Sequence, residues 1–295
     1  MKILSVERKG ELYAIASGLF YGLLGYFAVS ILNANFSIFS MLFWRFFVAT
    51  IIIMVIALFA VKEIQSNTYQ LFKICVSTSF FFSGTSVFYF LASWHIGTGL
   101  AMVIFFTYPI VIVAFTWFFQ KQAITKVYYI SLFFIIVGLV LLTKNQYETF
   151  DFYGIFFSFM SAICYVMYIV ISKRQAKHLH PLILSLLVSF GCCIIFLVAS
   201  ILNQSFSVPS TLVVWFDVIG IGAVCTAFPI LFLLKALQYI QVRKASILSV
   251  LEPVCIVIIG TIFLGEKITL IQAVGVIIIL IGSLAVQFDK KTETF

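Results

Sequence analysis

The sequence predicts an all-α integral membrane protein: ten transmembrane helices in two inverted five-helix repeats. Three observations carry this. Of 295 residues, 63% are hydrophobic and 9% charged, with a mean hydropathy of +1.20, whereas soluble domains carry about 25% charged residues. The apolar residues fall into ten continuous runs, each close to the length that crosses about 30 Å of hydrocarbon, without the alternation of barrel strands. The second half repeats the first at a constant offset of 144 residues.

The expected spans run from Glu11 to Ile31, Ile38 to Val61, Leu71 to Ser93, Thr98 to Phe119, Val127 to Thr143, Phe152 to Ser172, Pro181 to Leu202, Thr211 to Leu237, Ala245 to Phe263 and Ile268 to Gln287. Lys2, Arg8 and Lys9 precede the first run as they would in a signal peptide. The run is too long for one and no small-residue cleavage site follows, so it reads as a retained span. Polar stretches are short, which leaves no room for a separate soluble domain.

The repeat needs no gap. Gly10 matches Gly154, Ser17 matches Ser161, Tyr21 matches Tyr165, Pro109 matches Pro253 and Gly138 matches Gly282. Apolar matches mean little in such a chain; the glycine, proline and tyrosine pairs carry the register. Residues 1–150 form the first five-helix repeat and 151–295 the second. With five spans each, the second must lie upside down relative to the first, the arrangement by which many secondary transporters build two facing states.

Loop charge sets the expected orientation. The N-terminus, the even-numbered connections and the C-terminal tail hold 13 basic residues, among them Lys62, Lys121, Lys126, Lys173, Arg174, Arg243 and Lys244, against Lys144 and Lys267 on the other side. Both termini are therefore expected in the cytoplasm, in the plasma (inner) membrane of a bacterium. This accounts for the net charge of +8 without nucleic-acid binding. The six cysteines lie in apolar runs with no CxxC pair, as packing residues rather than disulfides or metal ligands. No metal site and no cofactor are expected. The partners are a small-molecule substrate and the lipid bilayer, with the oligomeric state left open.

Function is sought among polar and helix-breaking residues at membrane depth. Pro109 and Pro253 fall in the fourth and ninth spans. Each lacks an N–H and clashes one turn back, freeing the carbonyls of Phe105 and Ser249 and permitting a kink. Paired kinks suit a hinge or cavity wall, although proline is common in membrane helices anyway. Pro229, in the eighth span, matches the Gly84-Thr85 stretch of the third. Glu252 precedes Pro253 about 10 Å below the cytoplasmic boundary at 1.5 Å per residue. An acid there faces the bundle interior or water by default, which suits substrate or proton handling; a structural hydrogen bond is the alternative. Its repeat partner is Tyr108, so any titratable role belongs to one half. Arg45 and Asp217 lie at equal depth near the outer boundary and can form an ion pair, either a gate or a structural clamp. Lys235 either snorkels to the interface or reaches towards Glu252. Among the 35 Phe and 13 Tyr, Tyr21 and Tyr165 stand out as one position in both repeats; Tyr168 and Trp94 are weaker candidates.

The stretch from Tyr89 to Phe119 and its repeat from Lys235 to Lys267, with the LEP at Leu251 to Pro253, the LGEK at Leu264 to Lys267 and the WRF at Trp44 to Phe46, resembles the EamA branch of the drug/metabolite transporter superfamily. The first half departs from the pattern, with Gln120, Lys121 and Gln122 where the second has Leu264, Gly265 and Glu266. The resemblance implies a ten-helix bundle with spans 1, 3, 4, 6, 8 and 9 around a central cavity and spans 5 and 10 peripheral. It also implies that Arg45, Gly265 and Glu266 are architectural. Such proteins move amino acids, other metabolites, nucleotide-like cofactors or drugs.

The expectation is a transporter moving a small organic metabolite by alternating access, proton-coupled or facilitative. The alternatives are a non-transporting receptor or scaffold, which would carry larger extramembrane segments, and a membrane enzyme, for which the chain has no HExxH and no carboxylate cluster with metal-ligand spacing.

Overall fold

The computed structural model describes residues 2–24, 26–27, 31, 36–62, 67–121, 125–143, 151–263 and 269–285. The LGEK turn, Lys144 and the C-terminal tail lie outside these. The described residues hold twelve α-helices and no strand. They are α1 (Lys2–Gly22), α2 (Ile38–Ala60), α3 (Thr68–Phe105), α4 (Tyr108–Gln120), α5 (Lys126–Thr143), α6 (Phe152–Gln175), α7 (Pro181–Leu202), α8 (Leu212–Gly222), α9 (Phe228–Tyr239), α10 (Val242–Ser249), α11 (Leu251–Phe263) and α12 (Leu270–Ala285). A π-helical turn, Ala223–Ala227, joins α8 to α9.

Six stretches are long and apolar enough to cross a membrane: 38–60, 68–98, 100–119, 152–175, 181–202 and 212–239, with α5 and α12 as shorter apolar helices. The first expected span, Glu11 to Ile31, lies partly outside the described residues, and the ninth is divided at Val250 between two short helices, Val242–Ser249 and Leu251–Phe263.

Local chemistry starts the helices. Asn67 caps α3 through the Tyr69 N–H and Thr211 caps α8 through the Val214 N–H, and 67 and 211 are one position of the repeat. Asp151 caps α6, and His180 caps α7 ahead of Pro181, each satisfying an otherwise orphaned donor. Gly97 adopts φ 74°, ψ 157° inside α3, a backbone conformation open to glycine and strained for other residues. It turns the chain from the third span into the fourth without a loop.

The two halves interlock as images of each other. α1 of the first half packs on α9 of the second, and α6 of the second packs on α3 of the first. Ser17 Oγ donates to the Pro229 carbonyl at 2.8 Å, and Ser161 Oγ donates to the Thr85 carbonyl at 2.8 Å. Every residue in one bond is the repeat partner of a residue in the other. Tyr13 stacks between Phe232 and Tyr239, and its partner Phe157 lies between Phe88 and His95. α5 and α12 pair about the same axis. A Cβ on Gly138 would stand 2.8 Å from the Gly275 carbonyl and one on Gly282 3.0 Å from the Ser131 carbonyl, so both glycines let the backbones touch. The repeat in sequence is thus a repeat in packing, though neither half forms a separate body.

Candidate functional site at the broken helices

Two helix breaks meet near the centre. α3 ends at Phe105 and α4 begins at Tyr108; α10 ends at Ser249 and α11 begins at Leu251. The prolines do not kink continuous helices, as the sequence suggested. Pro109 lies in the first turn of α4 and Pro253 in the first turn of α11, positions where a missing N–H costs nothing. The Ser249 carbonyl faces α1, where a Cβ on Gly18 would lie 3.2 Å from it, so it is no ready acceptor for a solute.

Glu252, at the start of α11, is half-buried. Among the described residues its side chain makes no hydrogen bond or ion pair. Within electrostatic reach lie Arg45 from α2, Tyr21 from α1, Tyr89 from α3, Tyr108 from α4 and Tyr165 from α6. The Tyr108 and Tyr165 rings meet edge to face at 4.8 Å, with Tyr168 5.8 Å beyond Tyr165. Tyr108 is buried and donates its hydroxyl to the Ser246 carbonyl at 3.0 Å. The hydroxyls of Tyr21 and Tyr168 are sealed without a hydrogen-bond partner among the described residues. The structure therefore gathers Glu252, Tyr108, Tyr21, Tyr165, Tyr168 and Arg45, while Tyr89 is an addition that its sequence position did not mark.

Other expected residues lie elsewhere. Trp94 is 85% exposed on α3. Lys235 sits over the Tyr13 ring at 4.7 Å rather than reaching Glu252. Pro229 is buried in α9 and contributes the carbonyl that Ser17 binds. Asp217 is buried in α8 but is not the partner of Arg45. Arg45 Nε donates to Thr226 Oγ1 at 2.6 Å, with Nη2 3.4 Å from the Cys225 carbonyl. Both acceptors belong to the π-helical turn, where the Thr226 hydroxyl also reaches back five residues to the Ile221 carbonyl. Arg45 clamps α2 to a widened turn, and π turns of this kind recur where helices carry function.

A charged cluster unmarked in the sequence ties α10 to α1 at one end of the bundle. Lys244 is buried and pairs with Glu7 at 2.6 Å and with Glu11 of α1. The two acids lie four residues apart, on one face of the helix. That spacing was visible in the sequence, but Lys244 read as a loop charge. All of α10 is buried, and α4 packs against it. A cavity of about 90 Å³ at this end, lined by Thr116, Lys173, Arg174, Gln241 and Arg243, lies apart from Glu252. The opposite end differs. The repeat image of α10 is residues 98–105, where Thr98 is exposed and Met102, Ile104 and Phe105 are partly so. Among the described residues, α11 makes no comparable contact with that stretch. The Val242–Ser249 stretch is thus fully buried, whereas its image is only partly so. There, His95 Nδ1 and Asp151 Oδ2 lie 2.7 Å apart. The Tyr153 N–H, then His95, hold the Asp151 carboxyl below its ordinary range.

Comparison with known proteins agrees with this architecture. The EamA-like transporter family matches residues 8–144 and again residues 152–288. An uncharacterized transporter of Archaeoglobus fulgidus is 31% identical over 132 residues, 45% of this chain and 47% of that protein, so the match spans about half of the relative's length. A solved crystal structure superposes with a TM-score of 0.81 at 16% identity, covering 94% of this chain and 96% of the other, which shows a shared fold. The mirrored halves, the broken helices at their meeting point and the double family match place the chain as a multi-pass integral membrane protein that belongs to the EamA-like transporter family of the drug/metabolite transporter superfamily.

Proposed function

We propose that the chain moves a small organic metabolite, an amino acid or a related compound, by alternating access through ten membrane-spanning segments built as two inverted repeats. The observation that supports this best is the combination of mirrored packing with unequal ends. The seams at Ser17–Pro229 and Ser161–Thr85 are alike, whereas the stretch at the Lys244 end is fully buried and its image only partly. Two halves of one sequence held in different conformations are what an exchange between facing states requires. With the basic connections on the cytoplasmic side, the Lys244 end is the inner one and this conformation faces outward.

In this reading Glu252, Tyr21, Tyr89, Tyr108, Tyr165 and Tyr168 form the solute site and Glu252 carries the coupling. Holding an acid at membrane depth costs about 3 kcal/mol on insertion scales, a cost that structure alone does not call for. Arg45 is architectural, and Pro109 and Pro253 mark the hinges. A membrane panel test decides. Purified protein in vesicles is offered a broad metabolite set, first for thermal stabilisation and then for uptake. Uptake of a stabilising solute supports transport. Failure of every solute under every imposed gradient, with a fixed protein partner co-purifying, overturns it in favour of a receptor or scaffold.

A further inference from the structure

The central turns of the two halves are images, yet one hydrogen bond has no counterpart in the present conformation. Tyr108 donates to the Ser246 carbonyl at 3.0 Å. That carbonyl is open because the Val250 N–H, which would bind it in a continuous α-helix, turns to the Ile247 carbonyl at 3.2 Å. The repeat image of Ser246 is Met102, and its carbonyl still holds the Phe106 N–H at 2.9 Å. The image of the donor Tyr108 is Glu252. If the halves exchange conformations, Phe106 takes up the geometry of Val250 and leaves the Met102 carbonyl, while position 252 closes on it. Glutamate is shorter than tyrosine, so the elements must close further on that side to make the bond.

A phenol always has a hydrogen to donate. A carboxylate has none, and two acceptors brought together away from water repel. We propose that Glu252 takes up a proton from the outer side before that side closes, and that its O–H then donates to the Met102 carbonyl. The proton is the coupling ion, held in the bond that replaces Tyr108–Ser246. This rests on the alternating-access reading above. The groups facing Glu252 are Tyr21 on α1, Arg45 on α2, Tyr89 on α3, Tyr108 on α4, Tyr165 on α6, Cys225 in the π-helical turn and Cys255 on α11. Arg45 is the cation among them. It is tethered to Thr226, so it does not follow Glu252 towards Met102.

The test is hydrogen–deuterium exchange of the full chain in lipid nanodiscs, corrected for the intrinsic effect of pH on exchange, between about pH 8 and about pH 5. In the unaltered protein, acid should protect residues 98–106 and deprotect 242–250. Glu252→Gln carries a permanent donor and should show the acid pattern at both pH values. Glu252→Tyr, which copies the other half, should do the same if it folds. Glu252→Ala, with no donor, should keep the alkaline pattern throughout. A Glu252→Gln protein that still switches with pH, or an unaltered protein in which a stabilising solute but not acid moves the two segments, overturns the proton assignment while leaving transport intact. Segments that respond to neither acid nor any solute overturn the alternating-access reading itself.

Discussion

At the scale of single residues, Ser17 and Ser161 are the clearest product of the repeat, because each hydroxyl satisfies a carbonyl of the opposite half. Removing either should cost about 0.5–1 kcal/mol, and Ser17→Ala and Ser161→Ala should lower the unfolding midpoint in detergent by similar amounts. Unequal losses would mean that the two seams are not energetically alike. Thr226→Val is expected to cost more, about 1.5–3 kcal/mol, since it removes the acceptor of a buried guanidinium. Asp217→Asn should leave Arg45 untouched. The sequence placed Arg45 and Asp217 at equal depth, and depth is countable at 1.5 Å per residue. Azimuth is not. Asp217 and Thr226 are nine residues apart, about two and a half helical turns, so the segment that offers one to α2 turns the other away. Trp94 was misplaced for the same reason: its height along α3 was legible, its facing was not.

At the scale of elements, the contacts that distinguish the two ends lie where α1 meets α10. Lys244 and its two acids tie these helices; the corresponding positions at the other end are Leu100, Asp151 and Ile155, which offer no such tie. Lys244→Met should therefore loosen the covered end alone, seen as faster deuterium uptake across 242–249 with 98–105 unchanged. Equal loosening of both would refute a one-sided tie. The opposite end has its own pH sensitivity through the α6 cap. The Asp151 carboxyl is held low, chiefly by the Tyr153 N–H, with His95 contributing. Its contribution is thus fully present above the ordinary carboxylate range and is lost as pH falls below that range through the lowered value. Asp151→Asn should abolish any acid-dependent fraying of 151–155, measured by exchange. The breaks beside Tyr108 and Glu252 were half legible. The prolines announced them, but the sequence does not say that the chain would stop and restart as helices rather than bend.

At the scale of the whole molecule, most of the plan was in the sequence, because glycine, proline and tyrosine at one register are costly to place by chance. The interlocking was not: a fixed offset says that two halves are alike, not that α1 docks on α9 in preference to its own half. Orientation remains checkable from outside. Single cysteines at Lys177 and Ser210, both exposed, should react with an impermeant reagent from opposite faces, Lys177 from the cytoplasmic one; reversal would exchange the inward and outward labels. The docking of α1 also bears on how the chain is made. Ser17 and its acceptor are 212 residues apart, so when the first five helices have left the translocon their leading helix still lacks its seat. Until the eighth apolar segment arrives, that helix must be sheltered by lipid, by insertase or by a temporary neighbour, and a nascent chain halted after the first repeat should be a substrate for membrane proteolysis rather than a half-sized protein.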